Sequence, residues 1–184
     1  MFALIKSTKN LVIMEEKSTS TFKFSLKFGI YTGVAAIVLG LVFYLIEIPR
    51  ESPIQYAAYL VYLGGMLWGA STYKNEIGNG FMSYGKSFGV MYLVGIIAAV
   101  MASIYLFVFV KFIDPSFIAE AMDAQEQRFI DQGMSDAQID SALEMTARFM
   151  NPVMMSIMAL VWNAVVLAVI SLIASIFVKK EEGL

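Results

Sequence analysis

Three groups of residues have types and spacings that could do chemistry. Met150, Met154 and Met158 recur every four positions, and thioethers held on one helical face can bind Cu(I). Adaptable packing uses the same spacing, and the Asn151-Pro152 break falls inside the series. Asp136, Asp140 and Glu144 also recur every four positions and gather three carboxylates on one face. That face is either solvated or receives a cationic partner or divalent ion. Glycosidase-type chemistry would instead need two carboxyls facing each other across a cleft, in different environments. Gly78-Asn79-Gly80 is a turn signal, and its glycines do not match a phosphate-cradling loop. The chain contains no cysteine and no histidine. Disulfides, thiolate nucleophiles, imidazole acid–base catalysis and Cys/His zinc sites are therefore excluded. The expectation is a protein that is not an enzyme, with no cofactor and no metal beyond the soft-metal reading of the three methionines.

The elements that would position these groups follow from solvation. Residues 28–46, 54–73, 87–110 and 151–178 contain no Asp, Glu, Lys or Arg. About 20 apolar residues in a helix suffice to cross a bilayer core, and hydrocarbon forces each backbone group to find its partner within the segment. The chain is 59% hydrophobic, has a mean hydropathy of +0.71 and a net charge of −2. That charge is too small to imply a nucleic-acid partner. The expected fold is an all-α integral membrane protein, one membrane domain over residues 1–184. It has four transmembrane helices at about 26–48, 54–73, 87–110 and 152–178, with an amphipathic helical hairpin at about 115–150 between the third and fourth. The first apolar run is longer than a signal-peptide core and ends in Glu47-Ile48-Pro49-Arg50, so it reads as a retained anchor.

Basic residues set orientation. Lys6, Lys9, Lys17, Lys23 and Lys27 precede the first span, Lys74 and Lys86 flank the second loop, and Lys179 and Lys180 follow the fourth span. Arg50 in the first loop stands against Glu47 and Glu51. The connection 111–150 carries Lys111, Arg128 and Arg148 against Asp114, Glu120, Asp123, Glu126, Asp131, Asp136, Asp140 and Glu144. With four crossings the basic segments share one side, which places both termini in the cytoplasm and the acidic connection outside.

Within the acidic connection, Asp114-Pro115 reads as a cap with proline at the first helical position, opening a helix to Gln132. Ile118, Ala121, Met122, Gln125 and Phe129 would share its inner face. Gly133 is a stop, and Ser135-Asp136-Ala137-Gln138 matches a capping box. The next helix would turn Ile139, Ala142, Leu143, Thr146 and Phe149 inward. Phe81, Tyr84 and Phe88 recur at helical spacing and suggest an amphipathic elbow before the third span. Small residues let membrane helices approach closely, and Gly29-xxx-Gly33, Gly65-xxx-Gly69, Gly85-xxx-Gly89, Ala164-xxx-Ala168 and Ser171-xxx-Ser175 are candidates. Of these, Gly29, Gly33, Gly65 and Gly69 are the expected helix-contact residues, within one bundle or against another protein. Asn163 is the amide of the fourth span, expected to bond to a neighbouring helix or a ligand.

The order of these features carries a resemblance. Phe28-Gly29-Ile30-Tyr31-Thr32-Gly33, the Gly78–Phe88 elbow, Lys111-Phe112-Ile113-Asp114-Pro115-Ser116-Phe117, Gln132-Gly133-Met134-Ser135 and Met150-Asn151-Pro152 follow in that sequence. The chain resembles, over about Lys17 to Lys180, a family of small bacterial four-helix membrane proteins known as domain of unknown function 4199. The resemblance implies residence in the bacterial inner membrane and supplies no activity or catalytic residues. The extra Met1–Ile13 departs from the family's usual start, which points to Met14 as initiator. The functional expectation is a non-catalytic accessory or assembly subunit of a larger membrane complex. It would contact lipid and other membrane-protein subunits, with Asp136, Asp140 and Glu144 as partner contacts. The alternative is an oligomeric transporter or channel for a small or lipidic substrate, with Asn163, Ser103 or Ser171 lining a wet cavity.

Overall fold

A computed structural model describes the backbone of residues 2–49 and 52–180, and the side chains of residues 21–49 and 52–180. Met14 as initiator, the charges of Lys6, Lys9 and Lys17, and those of Arg50 and Glu51 lie outside the residues whose side chains are described.

The chain is helical throughout: α1 (Phe2–Leu45), a 3₁₀ turn (Pro53–Tyr56), α2 (Ala57–Glu76), α3 (Tyr84–Val108), a π-helical turn (Phe109–Ile113), α4 (Phe117–Asp131), α5 (Asp136–Phe149) and α6 (Pro152–Val178). Apart from these, Met82 and Lys180 form an isolated antiparallel bridge. Among the described residues, three stretches are long and apolar enough to cross a membrane: Thr21–Leu45, Tyr84–Ile113 and Pro152–Val178. The shorter α2 is diluted by tyrosines, by glycines and by its Lys74-Asn75-Glu76 end.

Two compact units divide the chain, Met1–Met101 with Ala164–Leu184, and Ala102–Asn163. In the first, α2 returns alongside α1. The return begins where Gln55 Nε2 donates to Ile48 O at 3.4 Å and ends where Thr21 Oγ1 meets Tyr73 OH at 3.1 Å. α1 buries one stripe, Thr21, Ser25, Phe28, Gly29, Thr32, Gly33 and Ala36, spaced as one helical face. Facing it are Tyr62, Met66, Gly69, Ala70 and Tyr73 of α2. Phe28 sets its ring edge-on to Trp68, 4.9 Å between centroids, and Tyr31 stacks on Trp68 at 6.0 Å. α1 stops in a left-handed cap: Glu47 takes φ +55° and Ile48 N–H reaches Phe43 O at 2.9 Å.

In the second unit, α4 and α5 pack together across Gly133, which takes φ +73°. The Gln138 side chain accepts from Ser135 N–H at 3.0 Å, holding the first turn of α5. On α4, Ile118, Ala121, Met122, Gln125 and Phe129 are the half-buried residues together with Phe117. Ile139 is buried on α5, and Ala142, Leu143 and Thr146 are half-buried. Phe149 departs from expectation: it is 51% exposed, because α5 ends there and Met150 leaves helical geometry at ψ +63°.

The start of α4 also differs. Asp114 is buried and closes the π turn by donating its N–H to Phe109 O at 2.9 Å. Its carboxylate accepts from Ser116 Oγ at 2.5 Å, so Ser116, not Asp114, stands at the helix N-cap. The expected elbow before α3 is not helical either. Residues 77–80 form a turn with Asn79 at φ +50° and Gly80 at φ +87°, followed by Met82, whose backbone pairs with Lys180.

Candidate functional site

Polar side chains of the first unit converge where one apolar stretch begins and another ends. Tyr84 opens the first of these and Val178 closes the second. Lys86, in the first turn of α3, turns its ammonium inward and donates to Thr21 Oγ1 at 2.7 Å. The same nitrogen lies 5.1 Å from the Tyr73 ring centroid, a cation–π contact, while Tyr73 OH meets Thr21 Oγ1. Phe24 closes the apolar side of Tyr73, edge-on at 5.2 Å. Three helices are therefore joined through one lysine. One turn further along the same face of α1, the Ser25 hydroxyl is buried with no hydrogen-bond partner.

The last helix is tied to the same end. Lys74 Nζ donates to Val178 O at 3.2 Å, where the free carbonyls of α6 carry partial negative charge. Met82 and Lys180 exchange two backbone hydrogen bonds of 2.8 and 2.9 Å, and the Lys180 ammonium lies 5.4 Å from the Phe81 ring centroid. Tyr84 OH donates to Leu172 O at 3.0 Å. No carboxylate forms an ion pair with Lys86 among the described residues.

The four expected helix-contact glycines lie at close approaches. A Cβ on Gly29 would meet Ile97 at 2.6 Å, and one on Gly33 would meet Met101 Sδ at 2.9 Å. On Gly65 it would overlap Thr32, and on Gly69 it would touch Val94 and Phe28 at 3.1 and 3.2 Å. The Gly85-xxx-Gly89 motif differs, since nothing lies within 4 Å of a Cβ at either position. Gly95, which no motif marked, takes the close contact on α3 instead, against Met66 Sδ at 3.2 Å and Leu167 at 3.4 Å. Ser171 and Ser175 are fully buried; Ser171 Oγ donates to Leu167 O at 2.7 Å and Ser175 Oγ to Ser171 O at 2.5 Å.

Within the second unit, the Asn163 amide turns back on its own helix and donates to Ala159 O at 2.8 Å, instead of crossing to a neighbour. Ser103 Oγ donates to Ser156 O at 2.7 Å. Asp136, Asp140 and Glu144 are all exposed, and Glu144 pairs with Arg148 at 3.1 Å. Met154 and Met158 are exposed and Met150 half-buried; the helix is interrupted between Phe149 and Pro152, so the three do not share one continuous face. Among the described residues no group of three or more His, Cys, Asp or Glu could hold a metal ion.

Sequence reasoning missed the Thr21–Tyr73–Lys86 cluster. Its one signal was a charged residue placed inside the first turn of a strongly apolar helix, where a turn or loop position stood only a few residues away.

Three long apolar helices and an all-helical chain define a multi-pass membrane protein. Its family model, described as Protein of unknown function (DUF4199), matches residues 27–180, and the chain belongs to that family. No curated protein and no solved structure gives a significant match.

Proposed function

We propose that this protein is a non-catalytic, four-span subunit of a bacterial inner-membrane complex that works by contact. The span added to the three long apolar stretches is α2, second in chain order. Support comes from the two ends of its pairing with α1, Gln55 on Ile48 and Tyr73 on Thr21, which carry α2 back along the whole apolar length of α1. Its 20 residues span about 30 Å at 1.5 Å per residue, the thickness of a bilayer core.

Four crossings put both chain ends on one side, with Lys23, Lys74, Lys86, Lys179 and Lys180. That side is cytoplasmic by the positive-inside rule, and α4 with α5 faces out. Because the chain has no native cysteine, single cysteines report topology cleanly. Asp136→Cys should react with a membrane-impermeant maleimide on intact spheroplasts, and Asn79→Cys only after permeabilisation. Equal labelling of both on intact cells would refute the orientation.

The observation carrying the contact reading is the outer surface of α5. Met145, 66% exposed, and Phe149 lie four residues apart on one face of α5, flanked by the exposed Glu144–Arg148 ion pair. An apolar patch with a charged rim on a well-capped helix is the anatomy of a protein interface. Gentle extraction followed by crosslinking should recover a stoichiometric partner that a Met145→Lys, Phe149→Asp variant loses. A wild-type chain recovered only as a lone monomer would end the proposal.

A further inference from the structure

We propose that the Thr21–Tyr73–Lys86 cluster binds the phosphate of an anionic phospholipid at the membrane boundary. The proposal rests on these helices crossing the bilayer. Lys86 carries three N–H donors; one goes to Thr21 Oγ1, and the Tyr73 ring face lies against the ammonium. No described carboxylate neutralises it. A lysine that merely escaped hydrocarbon would extend outward to water. Here the ammonium is drawn inward between α1 and α2, leaving a half-buried positive charge with donors to spare.

A phosphate diester matches that deficit. It brings one negative charge and acceptor oxygens for the remaining Lys86 donors. The position selects a lipid over a dissolved anion. Tyr84 opens one apolar stretch two residues before Lys86, and Val178 closes another beside Lys74, so the cluster lies at headgroup depth. Beside Thr21, the exposed Phe22, Leu26 and Ile30 form a stripe along α1 that offers apolar surface to acyl chains. Lys23, Lys74 and Lys180 lie at the same end and add long-range attraction for an anionic headgroup.

The test reconstitutes the full-length protein in phosphatidylcholine vesicles carrying trace spin-labelled phosphatidylglycerol or phosphatidylcholine, and measures the motionally restricted fraction of each. Phosphatidylglycerol should be preferred about fivefold, the effect of one lysine at an anionic surface. Lys86→Gln should remove most of the preference and leave only the weak attraction of Lys23, Lys74 and Lys180, Lys86→Arg should keep most of it, and Lys111→Gln, which removes a lysine near the far end of the same apolar stretch, should leave it unchanged. Millimolar inorganic phosphate should not reduce it. Equal restriction of both lipids by the wild-type chain, an unchanged preference in Lys86→Gln, or full displacement by inorganic phosphate would each overturn the proposal. The wild-type comparison needs no variant to fold. Restricted phosphatidylcholine reports insertion by itself, so a failed headgroup preference is distinguishable from a failure to enter the bilayer.

Discussion

Gly64 and Gly65 are neighbours on α2, yet the same substitution should move stability in opposite directions. An alanine at Gly65 would set its Cβ 2.7 Å from Thr32 Cγ2 and 2.8 Å from Thr32 Cβ, with Oγ1 nearer still. Thr32 cannot swing aside freely, because it is buried and its hydroxyl donates to Phe28 O at 2.8 Å. Overpacking of this kind costs about 1–3 kcal/mol, and breaking the Thr32 bond about 0.5–1.5 kcal/mol more. Replacing glycine by alanine inside a helix returns about 0.8–1 kcal/mol. Gly65→Ala should therefore destabilise by about 1–3 kcal/mol on balance. A Cβ on Gly64 meets nothing within 4 Å, so Gly64→Ala retains only the helix term and should stabilise by up to about 1 kcal/mol. The assay is unfolding of the full chain in mixed micelles by titrated dodecyl sulfate. Circular dichroism follows helix loss, and in a Trp162→Phe background Trp68 fluorescence follows separation of α1 from α2, since that ring packs on Phe28 and Tyr31. A Gly65→Ala protein as stable as wild type, or two variants shifting together, would refute the close approach of α1 and α2.

Glu47 holds a left-handed conformation that glycine adopts without steric penalty, so Glu47→Gly should stabilise by about 0.5–1 kcal/mol in the same unfolding assay. Gln138→Ala removes the acceptor for Ser135 N–H and should cost about 0.5–1 kcal/mol, seen as faster amide hydrogen exchange in the first turn of α5. The Glu144–Arg148 pair is exposed on both sides, so Glu144→Gln should change stability by less than about 0.5 kcal/mol, with the difference vanishing in high salt. Replacing Met150, Met154 and Met158 together by leucine should leave Cu(I) competition against bicinchoninate unchanged, because two of the three side chains are exposed and the helix breaks between the first and second.

Parts of this fold were legible because their causes are local. α6 begins at Pro152 and ends at Val178, as its sequence states: Asn151 Oδ1 accepts from Met154 N–H at 3.0 Å, proline fills the first helical position, and lysines follow. The turn between α4 and α5 was equally readable, since Gly133 and Ser135 act on their own neighbours. Asp114 misled because it has two outlets. A capping aspartate normally serves a helix amide, but here the widened turn before it offered Phe109 O to its N–H and Ser116 to its carboxylate. A π turn leaves no residue signature. Glycine spacing told which surfaces could admit a neighbour, not where one stands; Gly29 and Gly65 meet one, Gly85 and Gly89 do not. The Lys86 cluster was illegible for a similar reason. It joins positions 21, 73 and 86, and only the packing of three helices brings them within reach.

The pairing of Met82 with Lys180 bears on the timetable of biogenesis. Residues 102–163 are contiguous and can consolidate as soon as they leave the ribosome. The other unit precedes it in the chain but also includes residues from Ala164 onward, so α1 and α2 wait for α6 to be made before it closes. The piece begun earliest is completed last. A chaperone or insertase holding the nascent chain would find its client half-assembled around an open seam until α6 arrives.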